Sequence, residues 1–120
     1  MPEKPLLFVG SALADLRDFP DQARRLAGHQ LHVVQQGLEP DDWKPMPAVG
    51  PGVAELRIRT GVEHRVFYVA KFAEAIYVLH AFEKRTQQTR KADLELARHR
   101  YQEVLHARGR GAASPRKRQT

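Results

Sequence analysis

The 120-residue sequence predicts one α+β domain: a four-stranded, mainly antiparallel sheet with an N-terminal helical hairpin and a C-terminal helix. Three observations predict it. Residues 53–59 alternate apolar and polar in a clean period of two. Two further apolar runs follow after short connections, the mark of antiparallel hairpins. Apolar residues recur at helical spacing before and after this block. The chain is too short for two ordinary domains, and its 42% hydrophobic content suffices for one modest core.

Leu6-Leu7-Phe8-Val9 is a short apolar run closed by Gly10 and reads as a first strand, buried on both faces or nearly so. Ser11 can cap a short helix through Asp18, with Leu13 and Leu16 inward. Phe19-Pro20 breaks it. Pro20 suits the first turn of a second helix, whose dipole Asp21 complements. Ala23, Leu26 or Ala27, Leu31, Val34 and Leu38 keep helical spacing, and Gly37 supplies a stop. Residues 39–52 hold four prolines and two glycines and read as a loop, extended in part. Trp43 is expected to pin that loop to the core; stacking on a ligand is the lesser alternative.

Val53 to Arg59 places Ala54, Leu56 and Ile58 on one face and Glu55, Arg57 and Arg59 on the other. Residues 60–63 form a turn. Arg65 to Ala70 and Ala75 to Phe82 are the next two strands. From Glu83 the pattern turns polar. Asp93 to about His106 reads as a helix with Leu94, Ala97, Tyr101 and Leu105 on one stripe. Residues 107–120 are small, basic and aperiodic, so the domain is expected to span 1–106, followed by a disordered tail.

The absence of cysteine excludes disulfides, thiolate metal sites and cysteine nucleophiles. No apolar run approaches the roughly 18 residues of a spanning helix. The charged, Pro-rich start does not resemble a secretory signal, so a cytoplasmic protein is expected. The net charge of +6 is unevenly placed. Residues 1–48 carry five basic and seven acidic side chains, and residues 49–91 carry eight basic and four acidic. Residues 107–120 add five basic and no acidic ones. The basic zone at 49–91 suits a polyanion partner, or else cations guarding solvated strand edges; charge alone does not choose.

His29 and His32 share a helix face but lack a third ligand, so no metal is expected there. The candidate chemistry lies in the sheet: Arg57, Arg59, Arg65, Tyr68, Tyr77, His80, Lys84 and Arg85. In an antiparallel meander Arg65 falls near His80, Phe82 and Lys84. Converging cations repel unless an anion joins them, and Glu55, Glu63 and Glu83 could supply the balance. Such a cluster also suits RNA cleavage by 2′-hydroxyl attack, which needs a base, a stabiliser of the charged transition state and an acid. Histidine can carry the proton, although His80 within YVLHAF could equally be a satisfied core residue.

The segments DLRDFP (15–20), WKPM (43–46), GVAELRIR (52–59), HRVFYVAKF (64–72) and IYVLHAFEKRTQQT (76–89) resemble the phage-derived branch of HigB-like toxins. These belong to the RelE/ParE superfamily of toxin–antitoxin systems, and the likeness runs from about Lys4 to Gln102. It implies a RelE-like fold and a type II toxin: a ribosome-dependent mRNA endoribonuclease that halts translation without metal or other cofactor. The implied partners are a helix-turn-helix antitoxin, the ribosome and mRNA, with no membrane. Arg65 matches the arginine that contacts the reacting phosphate, and Lys84 and Arg85 match the basic pair after the last strand. His80 completes the candidate catalytic set; it lies in the LHAF typical of this branch. Arg57, Arg59, Tyr68, Lys71, Arg90 and Lys91 are the candidate RNA contacts. Arg85 stands where a second lysine is usual, which keeps charge and discourages proton transfer. On this reading Arg65 sits on a strand face near the scissile phosphate, where its loss costs activity and little stability. Two alternatives stay open: a ParE-like gyrase poison without nuclease activity, and a non-catalytic nucleic-acid-binding regulator of phage type.

Overall fold

The computed structural model describes residues 3–111. Its strands are β1 (Leu6–Phe8), β2 (Trp43–Pro45), β3 (Val53–Arg59), β4 (Glu63–Val69) and β5 (Ile76–Glu83). Its helices are α1 (Ala12–Arg17), α2 (Asp21–Gln35) and α3 (Lys91–Gly111). The strands form one sheet in the order β1-β5-β4-β3-β2. Only the β1–β5 pairing is parallel. The architecture is the expected α+β one, with five strands in place of four.

The fifth strand arises inside the Pro-rich segment. Trp43, Lys44 and Pro45 pair with Leu56, Glu55 and Ala54. Pro45 is tolerated because β2 is an edge strand. Trp43 is half-buried against the core, as expected of a pin. β1 also differs from expectation: it is the opposite edge, and Leu7 is 45% exposed.

The sheet separates two apolar layers. On one face α1 and α2 cover Leu56, Ile58, Val66, Tyr68 and Val78, using Leu16, Ala23, Ala27, Leu31 and Val34. Leu38, assigned to the same stripe, is past the helix and exposed, and Gly37 ends the helix in the left-handed region at φ 83°. Pro20 is the N-cap of α2, one position before the first turn. Ser11 occupies the N-cap of α1 without capping its amides; its hydroxyl donates to Asp15 and accepts from Arg100.

On the other face α3 packs Ala97, Tyr101 and Val104 against Val53, Phe67, Val69, Leu79 and Phe82. The buried Arg100 donates to the Leu79 carbonyl, tying α3 to the bulge of β5. Gly10 must be glycine twice over: its φ is +57°, and a Cβ there would stand 2.8 Å from the Arg100 guanidinium.

α3 runs on to Gly111. The cause is a long-range clamp absent from any local pattern. Arg108 donates to both Glu74 oxygens, at 2.6 and 3.2 Å, and lies 3.8 Å over the Phe72 ring. The Arg108 hydrogen bond holds the Glu74 carboxyl down at about 2. Residues 107–111 are therefore helical. The rest of the expected tail lies outside the described residues.

Candidate nucleic-acid interface

The strand alternation sends Glu55, Arg57 and Arg59 of β3 and Glu63 and Arg65 of β4 to the α3 side of the sheet. Register aligns them: Arg57 faces Arg65, which faces Phe82 of β5. In the next row Glu55 faces Phe67, which faces His80. Beyond the strand ends, the Lys84 amide donates to the Glu63 carbonyl. α3 lies over the half of this face that holds Val53, Val69 and Leu79. The other half carries the cations.

The carboxylates balance them, as the sequence allowed. Glu55 is 2% exposed and sits between Arg57 at 3.2 Å, Arg65 at 3.6 Å and Lys44 at 3.9 Å. Glu63 accepts from Arg65 at 2.8 Å and approaches Arg59 at 3.8 Å. That hydrogen bond from Arg65, aided by Arg59 and Lys84, holds the Glu63 carboxyl below its ordinary range. Arg59 also pairs with Asp42 at 3.0 Å. Arg65 is thus a buried, twice-paired guanidinium, with its side chain 5% exposed. A side chain so buried and paired does not fit the expectation that its loss costs little stability.

The remaining candidates divide. Lys84 donates to the Gln87 carbonyl at 2.7 Å at the rim of the face. Arg85 is 77% exposed and paired with Glu83. Arg90 and Lys91 open α3 at the surface, paired with Asp93 and Glu95. Two candidates leave the set. Tyr68 points to the helical-hairpin side and is buried, its hydroxyl pushed up to about 12 by that burial, so no base can stack on it. Lys71 follows the far end of β4 and lies over Phe72 and Tyr101, 5.3 and 6.0 Å from the ring centres. Six residues of extended chain separate it from Arg65, roughly 20 Å.

His80 is buried. Its Nε2 lies 2.8 Å from Asp93 Oδ1, and its ring stacks on Phe82 at 4.8 Å. Asp93 also accepts from Arg90 at 3.1 Å. Asp93, Lys44 and the charge-bearing role of Glu55 as a hub escaped the sequence reading. Asp93 carries only the signal of an acid in a helix's first turn. A cleft of about 350 Å³ lies beside this dyad, lined by Asp18, Phe19, His64, His80, Arg90 and Asp93 among others. Burial pushes the His64 imidazole down, toward its neutral form. Among the described residues no cluster of three or more His, Asp or Glu is placed to hold a metal ion. Likewise no helix there is long and apolar enough to cross a membrane.

Fold and face together define a small α+β protein with the helical hairpin, meander and terminal helix of RelE-like domains, its cations gathered on one half of the sheet. The chain belongs to the phage-derived protein Gp49-like family (DUF891), whose model matches residues 14–102, from α1 into α3. This is a RelE/HigB-like toxin family of the toxin–antitoxin context. No curated protein matches the chain.

Proposed function

We propose that this protein is the toxin of a type II toxin–antitoxin pair and cleaves mRNA on the ribosome. The observation that carries the reading is the row of Arg57 and Arg65 with Lys84 beside it, at the end of the sheet away from Val53, Val69 and Leu79. In the proposed reaction the RNA 2′-hydroxyl gives up its proton to solvent water, its oxygen attacks the adjacent phosphorus, and the P–O5′ bond breaks. Arg65 and Arg57 stabilise the charge that gathers on the phosphoryl oxygens. Lys84, at the rim, hands a proton to the departing 5′-oxygen. Arg85, Arg90 and Lys91 extend the positive surface for flanking phosphates. His80 is set back one row, engaged with Asp93, and its part is to hold the start of α3 and Arg90 in place. The family context supports an antitoxin as partner; a helix-turn-helix protein that neutralises the toxin fits the proposal.

One observation favours a second reading. Each cation of the row already has a carboxylate within 4 Å or a carbonyl acceptor. A surface so balanced suits a non-catalytic binding module. Ribosomes programmed with a defined message separate the two. The toxin reading expects cleavage within the message, leaving 2′,3′-cyclic phosphate ends, and loss of cleavage in Lys84→Ala. Ribosome binding with an intact message supports the binding module.

A further inference from the structure

We propose that Glu63 is an internal plug on Arg65. Its carboxylate occupies the guanidinium edge that an RNA phosphate takes, and it swings out only for a polyanion. The inference rests on the nucleic-acid reading above.

Arg65 is served by two acids of different kinds. Glu55 is 2% exposed and wedged among three cations, so it is a fixed counter-ion. Glu63 is 38% exposed and begins β4, next to a turn with Gly61 at φ 91°. It leaves by side-chain rotation alone. Its oxygen lies 2.8 Å from Arg65 Nη1 and helps to cover a side chain that is 5% exposed. Carboxylate and phosphate oxygens make the same charge-assisted contact to guanidinium, so the two compete for one edge.

The intramolecular acid has the advantage of high effective concentration. A single free phosphate meets that competition alone. An RNA strand also gains Arg57, Arg59 and Lys84, which flank the freed edge. The plug therefore sets a threshold: isolated anions are rejected, and a chain of phosphates displaces Glu63. Glu63 is a specificity-determining residue under this proposal, with no step in bond breaking.

The test compares the full-length protein with Glu63→Gln and Glu63→Ala. Binding of a short single-stranded RNA and of inorganic phosphate is titrated at several salt concentrations. Glu103→Gln removes one exposed negative charge from α3, whose partner His99 is no candidate RNA contact, and controls for general electrostatics. Both Glu63 variants should tighten RNA binding about tenfold, the effect of freeing one charge-assisted contact. The salt slope should steepen by roughly 0.7, one additional phosphate on a single strand. Inorganic phosphate should bind both variants and not the wild type. Glu103→Gln should stay within about twofold of wild type, the small effect expected of an exposed charge. An unchanged or weaker affinity in the Glu63 variants overturns the plug, as does an equal gain in Glu103→Gln. If the wild type binds and cleaves RNA while the Glu63 variants show no gain, only the plug falls. If no form binds RNA, the nucleic-acid reading falls with it.

Discussion

Replacing Glu55 by Gln keeps the shape of the side chain and removes the charge that three cations share. The cost follows from burial. Arg65 and Glu55 are 5% and 2% exposed and 3.6 Å apart. At an effective dielectric of about 20 such a pair attracts by roughly 4–5 kcal/mol before desolvation. Arg57 and Lys44 are 24% and 49% exposed, so solvent screens their share. Removing the charge relieves the desolvation of Glu55 itself, which offsets part of the loss. Breaking a buried pair from one side costs about 3–5 kcal/mol. Glu63 still holds Arg65, which places Glu55→Gln near the low end, about 3 kcal/mol. For a domain of this size that is a fall of roughly 10–15 °C in melting temperature. Urea unfolding followed by circular dichroism measures it. Adding Arg65→Met should return part of the stability, because an apolar side chain then fills the site that a charge had occupied. A loss below about 1 kcal/mol, the ordinary effect of a point mutation, would refute the view of Glu55 as the hub of the face.

Four further outcomes are expected. Arg108→Ala should destabilise the protein modestly, by up to about 1 kcal/mol since Glu74 is 44% exposed. Because the folded carboxyl is depressed to about 2, that difference should be full above pH 4.5 and vanish as pH falls through 2, read by stability against pH. His80→Gln should lower stability by about 1–2 kcal/mol, leaving buried Asp93 short of a partner, yet leave the pH–rate profile of cleavage in place; a shifted profile would return His80 to proton transfer. Deleting 112–120, which holds Arg116, Lys117 and Arg118, should weaken ribosome binding and flatten its salt dependence with cleavage positions unchanged. Deleting from 107 should also cost stability, by removing Arg108; equal melting temperatures for the two truncations would refute the clamp.

The parts of this fold that local chemistry dictates were readable in the chain. The alternation of β3, the hairpin connections and the apolar stripes of α2 and α3 place the sheet between two helical layers. What escaped depends on distant partners. β2 looks like loop because Pro45 forbids a central strand, and only pairing with β3 makes an edge strand of it. α3 outruns its apolar stripe because Glu74 and Phe72, more than thirty residues away, hold Arg108. Tyr68 was misplaced because RVFYVA is apolar at nearly every position, so no alternation says which face a side chain takes. The cationic cluster was legible as a set of residues and as a register, and its balancing acids Glu55 and Glu63 were visible too. Its burial was not, since the depth of Arg65 depends on how the acids fold over it. The Asp93 partner of His80 comes from another element and leaves no spacing signal.

The claim on which the rest depends is that the cationic half of the sheet acts on RNA. It is tested most directly by inducing the full-length protein alone in bacterial cells, beside Lys84→Ala at matched expression, and mapping RNA 5′ ends. New 5′ ends inside coding messages, with rapid loss of translation in the wild type and neither in the variant, are the predicted result. Arrest of growth with intact messages and a DNA-damage response, or no effect on growth at all, would contradict it.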